Sequence, residues 1–177
     1  MILRLFKVFF AAAVGLNLLL TVLDNAVFGY ASNYGFVKHV LSMDTLFSGE
    51  NNTWRALRDP TPDGPGGYWL YHVFYAGIIA WEAATAALCF AGAWALWCQR
   101  RAEARLFHRA KRLALAGLAL SMLQWFLAFE TVGGAWFQMW QSSTWNGLGA
   151  ASRMFIYVAV IFFFIRSSDD ELEPTGA

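Results

Sequence analysis

Apolar residues gather in four long runs, at about 5–28, 68–97, 113–129 and 148–165. Each is about long enough to cross roughly 30 Å of hydrocarbon as a helix. Backbone groups in lipid must pair within their own segment, so four helices are the expected spans. The first run begins with Arg4 and Lys7, as a signal peptide would. Its apolar stretch exceeds the usual ~7–15 residues and no clean cleavage site follows, so a retained helix is expected.

Between the runs the pattern changes. In "FVKHVLSMD", Phe36, Val37, Val40 and Leu41 fall on one helical face. That spacing predicts a short amphipathic helix on the bilayer or over the bundle. "DPTPDGPGG" (59–67) breaks the chain before the second span. "GGAWFQMWQSSTWNG" (133–147) carries three tryptophans and no charge. Gly133 and Gly134 are expected to end the third helix, because glycine readily takes the left-handed conformation. A flat helical turn would then place Trp136, Met139 and Trp140 on one face, with Phe137 beside them. Gln138, Gln141 and Ser142 would face water or the first outer loop, and Trp145 would turn the chain into the fourth span. Tryptophan suits a boundary with one apolar and one wet side. The fold class is therefore an all-α membrane protein, a four-transmembrane-helix bundle with short amphipathic helices in its two outer (periplasmic) loops. The bundle occupies 1–166, and the acidic segment 167–177 is expected to be a disordered cytoplasmic tail.

Composition agrees with lipid as the main solvent. The chain is 58% hydrophobic and 14% charged, against about 25% charged in soluble domains. A net charge of +1 leaves no broad basic face for nucleic acid. Arg4, Lys7, six cations between spans two and three, and Arg166 make nine on one side, against Lys38, Arg55 and Arg58 on the other. The positive-inside rule places both termini in the cytoplasm. Asn51-Asn52-Thr53 matches a glycosylation acceptor, a short and common pattern.

Polar residues form one narrow stripe per span: Asn17, Thr21 and Asp24; Tyr75, Glu82, Thr85 and Cys89; Gly117, Ser121, Gln124 and Ala128; Ala150, Arg153 and Tyr157. Small and polar residues favour helix contacts in membranes, so the stripes are expected to face inward. Asn17, Asp24, Gln124 and Glu130 would then form a polar layer, Asp24 and Glu130 near the outer helix ends. At ~1.5 Å per residue, Glu82 and Arg153 reach similar heights. A charged carboxylate in hydrocarbon costs at least ~2.5–3.5 kcal/mol, so a Glu82–Arg153 pair is expected.

No catalytic constellation emerges. Cys89 and Cys98 match no metal spacing, His39, His72 and His108 match no haem geometry, and no phosphate-loop or nucleophile motif is present. No catalytic residue, cofactor or metal is expected.

"FVKHVLSMDT" (36–45), "TWRAL" (53–57), Glu82, "WFQMWQSSTWNG" (136–147) and Arg153 together resemble one bacterial family. It is a family of predicted small integral membrane proteins with four helices and no assigned function. The likeness covers nearly the whole chain and implies an inner-membrane location. It supplies no catalytic residue and no substrate.

Three functions follow as expectations. The first is a non-enzymatic accessory or scaffold subunit of a larger membrane complex. Its aromatic periplasmic cap of Trp54, Trp136, Phe137, Trp140, Gln141 and Trp145 would meet lipid or a partner, and the chain could also assemble with itself. The second is an oligomeric transporter or proton/ion conduit using Glu82 and Arg153. The third is a lipid- or quinone-linked enzyme with Trp136, Trp140, Trp145 and Gln141 at a pocket mouth.

Overall fold

A computed structural model describes residues 1–47, 51–60 and 68–168, without the side chains of 51 and 52. The acidic tail from 169 and most of the chain break before the second span lie outside the described residues, and so does the side chain of the acceptor asparagine. Among the described residues five α-helices follow in order: α1 (Ile2–Leu23), α2 (Tyr30–Ser42), α3 (Trp69–Cys98), α4 (Ala104–Leu123) and α5 (Leu148–Arg166). No strand occurs among the described residues. Four helical segments are long and apolar enough to cross a membrane: Ile2–Phe28, Trp69–Cys98, Ala104–Trp136 and Leu148–Arg166.

Two spans change their winding near one end. α1 continues as a π-helical turn, Asp24–Phe28, and α4 as a π-helix, Gln124–Trp136. π-Helical stretches are rare and collect at functional sites. Gly133 and Gly134 therefore lie inside the third span rather than ending it. Both glycines stay helical and closely packed: a methyl group on Gly134 would meet Leu148 at 2.9 Å, and one on Gly133 would meet Met139 at 3.2 Å. The chain reverses later, at Gln138, a non-glycine residue with φ 53°.

The basic stretch before the third apolar run is helical too. α4 starts at Ala104, with Leu106 and Phe107 donating to the Glu103 carbonyl. Phe107, Lys111 and Ala114 form its buried face, while Arg105, Arg109 and Arg112 are exposed. Mean hydropathy hides this extension because the cations dilute it; the 3–4 spacing reveals it.

The chain divides into two compact units. The terminal unit holds Met1–Thr21, Glu82–Met122 and the described residues from Ile156 onward. The loop unit holds Val22–Trp81 and Leu123–Phe155.

In the terminal unit the core is Ala11, Val14, Leu18, Ala86, Cys89, Ala93, Leu96, Phe107, Ala114, Leu118, Val158 and Ile165. Small residues bring the backbones together. A methyl group on Gly92 would lie 2.3 Å from the Ala114 nitrogen, and one on Gly117 would lie 2.9 Å from the Cys89 nitrogen. Lipid tails are as apolar as the helices, so such close packing rather than water exclusion holds spans together.

The inward faces differ from the polar stripes in two spans. α3 does bury Tyr75, Glu82, Thr85 and Cys89, and α4 buries Gly117 and Ser121. α1 instead buries Arg4, Lys7, Ala11, Val14, Gly15 and Leu18, leaving Asn17 and Asp24 exposed. α5 buries Ala151, Val158 and Ile165, leaving Ala150, Arg153 and Tyr157 exposed. Past the two cations of α1, apolar residues make the inner face of both helices, whose contacts rest on van der Waals fit.

Gly92→Ala is expected to cost about 1–3 kcal/mol, because backbone must move to admit the methyl. Gly77→Ala, with nothing within 4 Å of the added carbon, should be neutral. Thermal unfolding of the two variants in one detergent checks the difference.

Candidate functional site

The loop unit concentrates aromatic and polar side chains where α2, the Asn51–Arg55 turn and the Met139–Gln141 turn meet. α2 ends at Met43, whose left-handed backbone (φ 52°) stops the helix. Leu41, Met43, Tyr71 and Phe137 then form a small core, with Tyr34, Val37, Val40 and Leu57 packed around it. Leu57 donates its N–H to the Leu41 carbonyl at 2.9 Å, and the Tyr71 hydroxyl donates to the Leu57 carbonyl.

At the end of the long π-helix, Arg55 acts as a clamp. Its guanidinium lies 5.3 Å from the Trp54 ring and 5.2 Å from the Trp136 ring. Nη1 donates to the carbonyls of Ala135 and Trp136 at 3.4 and 3.3 Å. A cation suits the carbonyl end of a helix, and an indole face attracts it further. The two indoles meet edge to face at 6.1 Å. Trp54 is 67% exposed, Trp136 49% and Trp140 53%.

The reversal at Gln138 splits the face expected of Trp136, Met139 and Trp140. Met139 and Phe137 are buried, and so is Gln141, which the sequence sets against water or the first outer loop. A tight turn inserts Met139 and Gln141 while it turns both tryptophans out. Ser142 is buried as well; its hydroxyl bonds Thr45 at 2.9 Å and accepts the Trp145 N–H at 2.9 Å. The Trp145 ring stacks on His39 at 4.7 Å and meets Phe36 at 6.1 Å. His39 in turn contacts the Asp44 carboxylate at 2.8 Å. Trp145 is therefore a joint between α2 and the start of α5.

A second aromatic group surrounds His72. Tyr34 stacks on its ring at 4.3 Å, and the Tyr30 hydroxyl bonds Nδ1 at 3.1 Å. Desolvation raises the Tyr34 phenol above its ordinary value, and the neighbouring Tyr30 and Asp59 add to the shift. The Tyr75 hydroxyl donates to the Asn25 carbonyl at 2.7 Å, inside the π-turn of α1. Asn33 Nδ2 bridges Asp24 and Asn25 at 2.8 and 2.9 Å. The π-turn is thus held from both sides.

The polar residues of the spans sit in contrasting surroundings. In the terminal unit Glu82 is 3% exposed, with Thr85 and Ser121 also buried. In the loop unit Gln124 is buried, Glu130 is half-buried and accepts the Ser152 hydroxyl, and Asp24 is exposed. Arg153 is exposed, and its Nη1 lies 3.6 Å from a methyl position on Gly149. Its side chain therefore runs back toward the start of α5, as helix geometry favours.

Three buried cations stand outside this expected set. In the terminal unit Arg4, Lys7 and Lys111 are all at most 2% exposed. Arg4 donates to the Arg100 and Ala102 carbonyls at 3.2 and 2.6 Å. Lys7 and Lys111 both donate to the Ser167 carbonyl, at 2.7 and 2.6 Å. Phe107 lies under Arg4 and Lys111, and Phe164 under Lys7. Their signal was present: Arg4 and Lys7 share a helical face with Ala11, Val14 and Leu18.

Among the described residues, no group of three His, Cys, Asp or Glu side chains could hold a metal ion.

A family model described as "Predicted small integral membrane protein (DUF2165)" matches residues 3–167. The chain belongs to this family. With four candidate spans it is a multi-pass integral membrane protein. No curated protein and no solved structure gives a significant match.

Arg55→Met should destabilise the loop unit by about 1–2 kcal/mol, the scale of one desolvated cation–π contact or hydrogen bond. Acrylamide quenching of tryptophan fluorescence should rise as the two indoles separate. Arg58→Met, at an exposed position, is the matched control.

Proposed function

We propose that this protein is a non-enzymatic accessory or scaffold subunit of a larger complex in a bacterial inner membrane. One observation carries the reading: Trp54, Trp136 and Trp140 stay substantially exposed while the polar groups around them are used in internal joins. Arg55, His39, Ser142 and Thr45 hold the backbone in place. The three indoles are the part left over for contact. Tryptophan contributes large contact area at little entropic cost and is favoured at partner and lipid interfaces.

The test is isolation from native membranes in a mild detergent. A defined companion protein should co-purify across growth conditions. A chain with Trp54→Ser, Trp136→Ser and Trp140→Ser should lose it while keeping its helical circular dichroism. Recovery of the wild-type chain alone under every condition would sink the accessory role.

The reading places both termini in the cytoplasm, supported by the excess of Lys and Arg at the chain ends and between α3 and α4. Cys98, exposed at the end of α3, offers a native probe, since Cys89 is buried. A membrane-impermeant maleimide should label Cys98 in inverted vesicles and leave it untouched in right-side-out ones. The reverse pattern would invert the topology.

A further inference from the structure

Among the described residues, the terminal unit buries three oxygen-bearing side chains within its spans. Glu82 is 3% exposed, Thr85 0% and Ser121 1%. Their placement follows from the approach of α3 to α4. Gly92 faces Ala114 and Gly117 faces Cys89, so each step back on α3 matches one step forward on α4. Four more residues along each helix bring Thr85 level with Ser121. Glu82 precedes Thr85 by three residues, one turn away on the same face of α3.

The Ser121 hydroxyl is buried and has no hydrogen-bond partner. A serine inside a helix can bond back to the carbonyl one turn before it, and Ser121 does not. An unmet polar atom deep in a span is costly, and a ligand oxygen that is already desolvated binds at less expense. Two residues later α4 ends and the span continues as a π-helix, a winding that recurs at functional sites.

Charge selects the occupant. Neutral groups solvate a carboxylate without cancelling its charge. The lysines and arginines of the terminal unit stand nearer the other end of its helices. Arg112, the nearest on α4, precedes Ser121 by nine residues, about 14 Å of helix. α3 carries none, and Arg4 and Lys7 on α1 reach the carbonyls of Arg100, Ala102 and Ser167. Carboxylate and hydroxyl oxygens suit a hard cation, and one negative charge is balanced by one positive. We propose that Glu82, Thr85 and Ser121 form an intramembrane binding site for a small monovalent cation of the sodium class. Carboxylates within spans mark ion sites in membrane proteins. The site lies within one compact unit and does not involve the exposed indoles.

Carbodiimide labelling in native membranes tests it. Dicyclohexylcarbodiimide adds to a protonated carboxyl in apolar surroundings, and a bound cation blocks the reaction. At fixed pH in choline chloride the reagent should modify Glu82, read by mass spectrometry of the purified chain. Sodium chloride at equal ionic strength should slow the labelling severalfold. Ser121→Ala should raise the sodium concentration needed for protection about tenfold, the scale of one lost contact to a charge. Ser32→Ala, at an exposed position, should leave it unchanged. The purified full chain gives a second readout: sodium in place of choline should raise its thermal unfolding midpoint, and Glu82→Gln should abolish the rise. Four results would each overturn the proposal. They are Glu82 unlabelled in choline, equal labelling in sodium and choline (a carboxyl that exchanges protons alone), full protection in Ser121→Ala, and an unfolding midpoint indifferent to sodium.

Discussion

The contact on which the terminal unit depends is the approach of α3 to α4 at Gly92 and Gly117. No side chain separates the backbones there, and a single added carbon on Gly92 would overlap Ala114. In water a bundle can rely on excluding solvent. In lipid the gain comes from how many atoms touch, which falls quickly with separation. Gly15 extends the same logic to α1, which rests against Cys89 and Phe90. The buried Cys89 is thus the point where three helices meet, and its small size matters more than its thiol.

The helix ends follow one recurring arrangement. A cation reaches carbonyls at or beyond a helix C-terminus while an aromatic ring lies beside it. Arg4 does this with Phe107 at the end of α3, and Lys7 and Lys111 do it with Phe164 and Phe107 at the end of α5. Arg55 repeats it with Trp54 and Trp136 at the end of the long π-helix. Arg100 repeats it locally, donating to the Trp97 carbonyl at 2.7 Å with its guanidinium 3.8 Å from that ring. The unpaired carbonyls at a helix end carry partial negative charge, so one side chain meets a hydrogen-bonding need and an electrostatic one together.

Much of the architecture was legible because lipid imposes a length requirement that hydropathy measures directly. The four spans and the helix through Phe36–Leu41 follow from that requirement and from 3–4 spacing. Facing was harder. In α3 the polar stripe is also the buried one. In α1 and α5 the inner face is Ala11, Val14 and Gly15, or Ala151, Val158 and Ile165, so a rule that turns polar residues inward selects the wrong side. Glu82 and Arg153 lie at comparable heights in the sequence, yet one is buried and the other exposed. The π-winding after Leu123 was also beyond reach, because it depends on what the surrounding helices admit. Once it begins, positions counted at 3.6 per turn drift off their faces.

The spans also differ greatly in length. Ala104–Trp136 has 33 residues, whereas Leu148–Arg166 has 19. At about 1.5 Å per residue the shorter covers about 28 Å, close to the hydrocarbon thickness of an ordinary bilayer. The longer helix can tilt or extend into the headgroups, but α5 has no residues to spare. α5 therefore sets the hydrophobic thickness that suits this protein. A thicker, sterol-like bilayer would have to thin around it, at a cost that accumulates with each ångström of mismatch.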